Sequence, residues 1–155
     1  MSEIYIDGDA CPVKREVMRV ADRHGINVHL VSVTWLRMAE HPLLNRVVVA
    51  PGFDAADDWI AEHIGRGDIV ITSDILLASR CLEEGSSVLG PTGKEFSIEN
   101  IGQALAMREL NAHLRETGEI SGHNPSFTKK DRSRFLGALE LAVRKVAEKG
   151  AVIAD

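Results

Sequence analysis

The sequence predicts a three-layer α/β domain built on a mainly parallel five-stranded sheet. Three observations carry that expectation. Short apolar runs alternate with stretches of helical periodicity, the pattern of repeated strand–helix units. Two of the runs, Ile4-Tyr5-Ile6-Asp7-Gly8-Asp9 and Ile69-Val70-Ile71-Thr72-Ser73-Asp74, close on acids, and strand ends of an open parallel sheet gather at one edge. The chain has 155 residues, 45% of them hydrophobic, which suits one domain with a sizeable core.

The elements follow in order. Glu3 to Asp7 reads as the first strand. Pro12 suits a first helical turn, and Val17, Val20 and Ala21 continue a helix over 13–24 that Gly25 ends. Asn27 to Val33 is β-branched and reads as a strand. Residues 35–44 have room for a short helix limited by Pro42, and 46–50 make a third strand. Pro51-Gly52 turns the chain, and Asp54 suits the cap of a helix over 55–64. A break at Gly65-Arg66-Gly67 leads to a fourth strand over 68–72. A helix over 75–84, stopped by Gly85, precedes a short fifth strand over 86–89. Ser97 or Asn100 is placed to cap a long helix toward Arg115. The stretch 118–130 reads as an exposed polar loop, with Ser121, His123, Asn124, Ser126 and Thr128 as candidates to meet a phosphate, and 131–149 as a final helix. No repeat or second domain boundary is evident, so residues 1–150 are expected to form one domain and 151–155 a tail.

Composition narrows the classes. No run approaches the roughly 18 to 20 apolar residues of a membrane span. The N-terminus enters strand-like sequence directly, so a cytoplasmic location is expected. Cys11 and Cys81 are too few for a disulfide framework and read as buried thiols. The net charge of -5 argues against a general polyanion-binding surface. Lys129, Lys130, Arg132 and Arg134 still form a local basic cluster, readable as a solvated helix start or as a phosphate contact. Rossmann and P-loop glycine patterns are absent, as is zinc spacing among the six histidines.

The acids are the chemical signal. Asp7 and Asp9 end the first strand, and Asp74 follows the fourth. Asp54, Asp57 and Asp58 lie at i, i+3 and i+4 at the start of a helix that follows the third strand. Of these, Asp57 sits nearest the polar–apolar boundary. Acids in a first helical turn also favour the helix dipole and face water. Convergence of Asp7, Asp9, Asp57 and Asp74 would instead create mutual repulsion unless a cation joins them. Carboxylate oxygens suit Mg²⁺ or Mn²⁺. Such ions activate water and neutralise the leaving oxygen of a phosphodiester.

The sequence resembles the YaiI/YqxD family of uncharacterised bacterial proteins. The matching segments are Ile6-Asp7-Gly8-Asp9-Ala10-Cys11-Pro12, Asp54-Ala55-Ala56-Asp57 and Gly67-Asp68-Ile69-Val70-Ile71-Thr72-Ser73-Asp74. Gly93-Lys94-Glu95-Phe96-Ser97-Ile98-Glu99-Asn100-Ile101 and Asp131-Arg132-Ser133-Arg134-Phe135 add to them, so the resemblance spans nearly the whole chain. It implies a relation to PIN and NYN domains, a superfamily of metal-dependent ribonucleases, and hence a PIN-like fold. That relation implies catalytic, metal-holding roles for Asp7, Asp57 and Asp74, with Asp9 as an additional ligand. It also implies that Thr72 and Ser73 orient a carboxylate or hold a phosphate. Where PIN domains place a further acid in the last helix, this sequence offers Lys129, Lys130, Arg132 and Arg134. RNA is the expected substrate, and the departure leaves another phosphate-bearing substrate open.

Two other readings stand beside this one. The run Tyr5-Ile6-Asp7-Gly8-Asp9-Ala10-Cys11 resembles the opening motif of haloacid-dehalogenase-like phosphatases. In that resemblance Asp7 is the nucleophile and Asp9 the acid/base, with Asp68 and Asp74 imitating the downstream acidic pair. Cys11 stands where that motif has threonine or valine. The third reading is a non-catalytic module that binds RNA or protein.

Overall fold

Residue alternation along the strands decides the layers. The computed structural model describes residues 2–116 and 127–154. In β1 (Ile4–Asp7), Ile4 and Ile6 point to one face of the sheet and Tyr5 to the other. The first face is covered by α1 (Lys14–His24), through Val13, Val17, Val20 and Ala21, and by α5 (Lys129–Ala154), through Phe135, Leu139 and Val143. The second face is covered by α2 (Ala55–His63), α3 (Ile75–Glu83) and α4 (Ile98–Glu116), which bring Ile60, Leu77 and Ala104 against it. Both sides of every central strand are therefore dry, which is why the strands read as apolar runs.

Beside β1 the sheet contains β2 (Val28–Ser32), β3 (Leu44–Val48), β4 (Ile69–Ile71), β5 (Ser87–Leu89) and β6 (Glu95–Phe96). Their order is β3-β2-β1-β4-β5-β6. Pairing is parallel except between β5 and β6. The chain moves outward from β1 through β2 to β3, then returns to the other side of β1 as β4. The strand order therefore reverses between β1 and β4, and ligands of open α/β sheets bind in the crevice outside such a switch.

Among the described residues there are thus six strands and five α-helices, where the sequence predicts five strands. The missed strand has two residues, too few to show a period. It returns antiparallel through a turn in which Gly90 N–H donates to Lys94 O at 2.8 Å. Gly93 has φ +92, and a Cβ there would lie 2.9 Å from the backbone of Arg134. That glycine lets the turn press against α5.

The helix expected over 35–44 is absent. Arg46 of β3 takes the carbonyls that a helix would need. Its Nε donates to Leu36 O at 3.3 Å, its guanidinium also donates to Met38 O, and Nη1 reaches Glu40 at 2.9 Å. The segment is consequently an extended strap, and the third strand begins two residues earlier than expected.

The long helix α4 has its expected cap. Ser97 Oγ accepts from Asn100 N–H, and Asn100 Oδ1 accepts from Ser97 N–H. A similar pair starts α5, where Thr128 and Asp131 exchange bonds at 2.9 and 3.1 Å. Lys129 and Lys130 therefore belong to its first turn, not to a loop. Ser121, His123, Asn124 and Ser126 lie outside the described residues. Among the described residues no helix is long and apolar enough to cross a membrane.

Candidate functional site

The switch crevice receives acids from three elements. Ile6 pairs with Ile71 in the β1–β4 register, so Asp7 and Thr72 are the next positions on the two strands. The Thr72 hydroxyl, almost fully buried, donates to Asp7 Oδ2 at 2.9 Å. The Thr72 Oγ1 in turn accepts from the Asp74 backbone N–H at 3.0 Å. Asp74 is the N-cap of α3, its Oδ1 accepting from Leu76 N–H at 2.9 Å and Leu77 N–H at 3.2 Å. Asp7 Oδ1 and Asp74 Oδ2 are left out of these bonds.

Asp57 completes the group from the first turn of α2. Its carboxyl is pushed up to about 7, first by burial, then by the charges of Asp7 and Asp74 and by a direct carboxyl–carboxyl hydrogen bond with Asp74. Asp7 is raised as well, chiefly by burial and further by Asp74 and Asp9, while the Thr72 bond opposes the rise. The three carboxyls thus feel one another. Arg80 lies within reach of the same charge, its guanidinium raised first by the Asp58 bond and further by Asp57.

The other first-turn acids go elsewhere. Asp58 pairs with Arg80 at 2.8 Å. Asp54 holds the N-cap position of α2 with φ +56, a left-handed conformation that Asp tolerates better than most residues, but its side chain makes no cap bond to the helix. Its charge is a further contribution to the raised Asp57 carboxyl.

Asp9 turns away from its neighbour. Residues Gly8–Ala10 form a single 3₁₀ turn. A Cβ on Gly8 would lie 2.8 Å from Leu30 Cδ1 and 3.0 Å from Val31 O, so a larger residue would have to push the Leu30 side chain aside and crowd the backbone of β2. The turn sends Asp7 toward β4 and Asp9 toward the loop after β2. There Asp9 accepts from Val33 N–H at 3.2 Å and from the Thr34 hydroxyl at 3.4 Å.

Ser73 and Thr72 line a small cleft with Asp7, Cys11 and Pro91. Cys11 and Cys81 are free and buried, and burial raises both thiols, Cys81 to about 12. Neither is poised as a thiolate. Asp68 stands at the amino end of β4, accepting from Glu3 N–H and Gly65 N–H, so it is at the opposite edge from Asp74.

The basic cluster of α5 divides. Arg132 donates to Pro12 O at 2.8 Å and Glu16 at 2.9 Å and lies over the Phe127 ring. Arg134 is mostly exposed, 3.9 Å from Asp131. Lys129 and Lys130 are exposed. Arg132 alone of these four lines the groove that opens beside Cys11. Sequence reasoning did not single out Arg15, Arg19 and Arg37 of that groove, although the four-residue spacing of the first two marks one helix face.

The family model described as "Uncharacterized BCR, YaiI/YqxD family" matches residues 5–145, the span that holds every acid of this crevice. The chain belongs to the YaiI/YqxD family. It is 56% identical over 146 residues to a UPF0178 protein of Parvibaculum lavamentivorans, covering 94% of this chain and 96% of that one. It is 54% identical over 144 residues to one of Agrobacterium fabrum, with 93% and 94% covered. It is 52% identical over 143 residues to one of Nitrobacter winogradskyi, with 92% and 91% covered. No solved structure matches this YaiI/YqxD chain.

The donor set of this YaiI/YqxD member can be tested for fit to a hard cation. Among the described residues, no group of three or more His, Cys, Asp or Glu side chains is drawn together tightly enough to hold an ion as it stands. The donor chemistry nevertheless suits one. Three carboxylates share a half-buried crevice, each repelled by its neighbours, and Asp7 and Asp74 each keep an oxygen out of the bonds that position them. Oxygen donors of this kind match Mg²⁺ or Mn²⁺ rather than a soft metal.

Proposed function

We propose that the protein is a Mg²⁺- or Mn²⁺-dependent phosphodiester hydrolase with a PIN-like site, and that its substrate is RNA. One observation carries this reading: β1, α2 and the start of α3 each bring an acid to the switch crevice, where burial first and then the charges of Asp7 and Asp74 lift Asp57 to about 7.

Asp7, Asp57 and Asp74 would hold the cation, and Asp9 adds negative charge to the same edge. The bound ion supplies water activation and charge neutralisation at the scissile phosphate. Thr72 fixes Asp7 and, through the Asp74 amide, the start of α3. Asp57 holds a proton below neutral pH and gives it up as a ligand, so cation binding and protonation compete at one carboxyl. Ser73, exposed at the cleft, is placed to donate to a phosphate oxygen. Lys129, Lys130 and Arg134 offer longer-range attraction to a polyanion.

The phosphatase reading loses its partners here. Asp9 is committed to the loop after β2, and Asp68 lies at the far edge of the sheet. The test is a substrate screen with Mn²⁺ over single-stranded RNA, structured RNA, DNA and phosphomonoesters. RNA cleavage that disappears in Asp74→Asn supports the hydrolase. Asparagine still caps a helix, so that variant keeps its fold. Monoester turnover with covalent phosphate on Asp7 would replace this reading with the phosphatase. RNA binding without turnover would replace it with the non-catalytic module.

A further inference from the structure

The groove beside the crevice carries cations that the fold does not use. It has a volume of about 1150 Å³ and lies between α1 and the strap over 37–41, and Cys11 belongs both to it and to the cleft that holds Asp7. Three acids line it, and each already has a partner. Glu16 takes Arg132 at 2.9 Å, Glu40 takes Arg46 at 2.9 Å, and Asp22 is hydrogen-bonded to His41 at 3.0 Å, an ion pair only when the imidazole is protonated. Arg15, Arg19 and Arg37 line the same groove, are exposed, and have no acidic partner among the described residues.

That is an unusual arrangement for a chain of net charge -5. Arg15 and Arg19 are four residues apart on α1, where like charges destabilise a helix. An anion lying across both would relieve the repulsion. Four residues of helix rise about 6 Å, on the order of the spacing between successive phosphates of an extended strand. Arg37 faces the pair from the strap. Trp35, two residues earlier, is 62% exposed, with the Arg46 guanidinium 4.9 Å from its ring centroid. Asp9 ties down the preceding Val33 and Thr34. An exposed indole two residues before Arg37 in the chain suits an unpaired base next to a phosphate held in the groove.

We infer that this groove binds the backbone of a single-stranded polynucleotide, with Arg15, Arg19 and Arg37 on successive phosphates and Trp35 under a base. The strand then reaches the carboxylates past Cys11. The inference rests on the hydrolase reading for the role of the carboxylates, but the binding it assigns does not require turnover.

The test is binding of a fluorescent twelve-nucleotide oligouridylate in EDTA, across a range of salt. Arg15→Ala/Arg19→Ala/Arg37→Ala should weaken binding at least tenfold at low salt. It should also flatten the log–log salt dependence by about 2, since each single-strand phosphate contact contributes about 0.7. Trp35→Ala should weaken binding without changing that slope. Lys94→Ala/Arg108→Ala, which removes cations from the separate groove between α3 and α4, should bind as the wild type does. Equal loss in that control would reduce the effect to overall charge and overturn the inference. So would unchanged binding in the triple variant, no binding by the wild type, or tighter binding of a duplex of the same length. Thermal melting of each variant excludes unfolding as the cause of a loss. RNA cleavage with unaltered binding in the triple variant would remove the groove and leave the hydrolase. Groove-dependent binding without cleavage under any divalent cation would do the reverse.

Discussion

The Thr72 hydroxyl joins the two ends of the candidate site, donating to Asp7 Oδ2 at 2.9 Å while accepting from the Asp74 amide at 3.0 Å. One side chain thereby ties the carboxyl end of β1 to the start of α3. It also opposes the rise of the Asp7 carboxyl caused by burial and by the neighbouring acids.

Thr72→Val keeps the shape and removes both bonds. The substitution should cost about 1–3 kcal/mol, the range for a buried group left unpaired. Urea unfolding measures that cost. The Asp7 carboxyl should titrate higher in the variant, which carboxyl-carbon NMR reads directly. An Asp7 titration unmoved by the substitution would show that the hydroxyl does not hold it.

Asp57 makes stability depend on pH. Its carboxyl moves from 3.8 to about 7 on folding. Between those values the folded protein holds a proton that the unfolded chain has released. Stability of the cation-free protein should therefore fall as pH rises from about 4 to about 7. Solvent screening at this half-buried group limits the effect to roughly 1–2 kcal/mol. Asp57→Asn should flatten that part of the profile and be the more stable protein at pH 8. A wild-type profile that rises through the same window would refute the raised Asp57 carboxyl.

Gly8 separates the two acids for a steric reason. Gly8→Ala would drive a methyl carbon to 2.8 Å from Leu30 Cδ1 and 3.0 Å from Val31 O. We expect a loss of about 1–3 kcal/mol, as for overpacking in a filled core. Chemical denaturation at pH 5 and pH 8 should show a similar loss at both, because the cause is steric.

Asp9 should behave as a loop anchor. Asp9→Ala removes the acceptor for Val33 N–H and Thr34 Oγ1. Hydrogen exchange at Val33 should speed up, while exchange in β1 and β4 stays slow. Uniform acceleration across the sheet would instead make Asp9 a global stabiliser.

Much of this architecture is legible in the chain. The strands around β1 and β4 are short apolar runs ending in acids, and parallel topology alone gathers those ends at one edge. Asp57 stands apart from Asp54 and Asp58 by its position beside the apolar stripe of α2. Other features depend on distant partners. The strap over 35–43 is extended because Arg46 captures its carbonyls. The role of Asp9 depends on the path of the loop after β2. The unpaired state of Arg15, Arg19 and Arg37 appears only once every nearby acid has been matched with another cation. Two-residue β6 has too little sequence to carry any pattern.

Calorimetric titration with Mn²⁺ decides whether Asp7, Asp57 and Asp74 form one cation site. Wild-type protein should bind Mn²⁺ and release protons on binding near pH 6, where Asp57 is protonated, but not at pH 9. Asp7→Asn and Asp74→Asn should each weaken binding at least tenfold, and Asp57→Asn should also abolish the proton release. Binding of equal strength in all four proteins, with no proton release at pH 6, would show that these three acids do not share a cation.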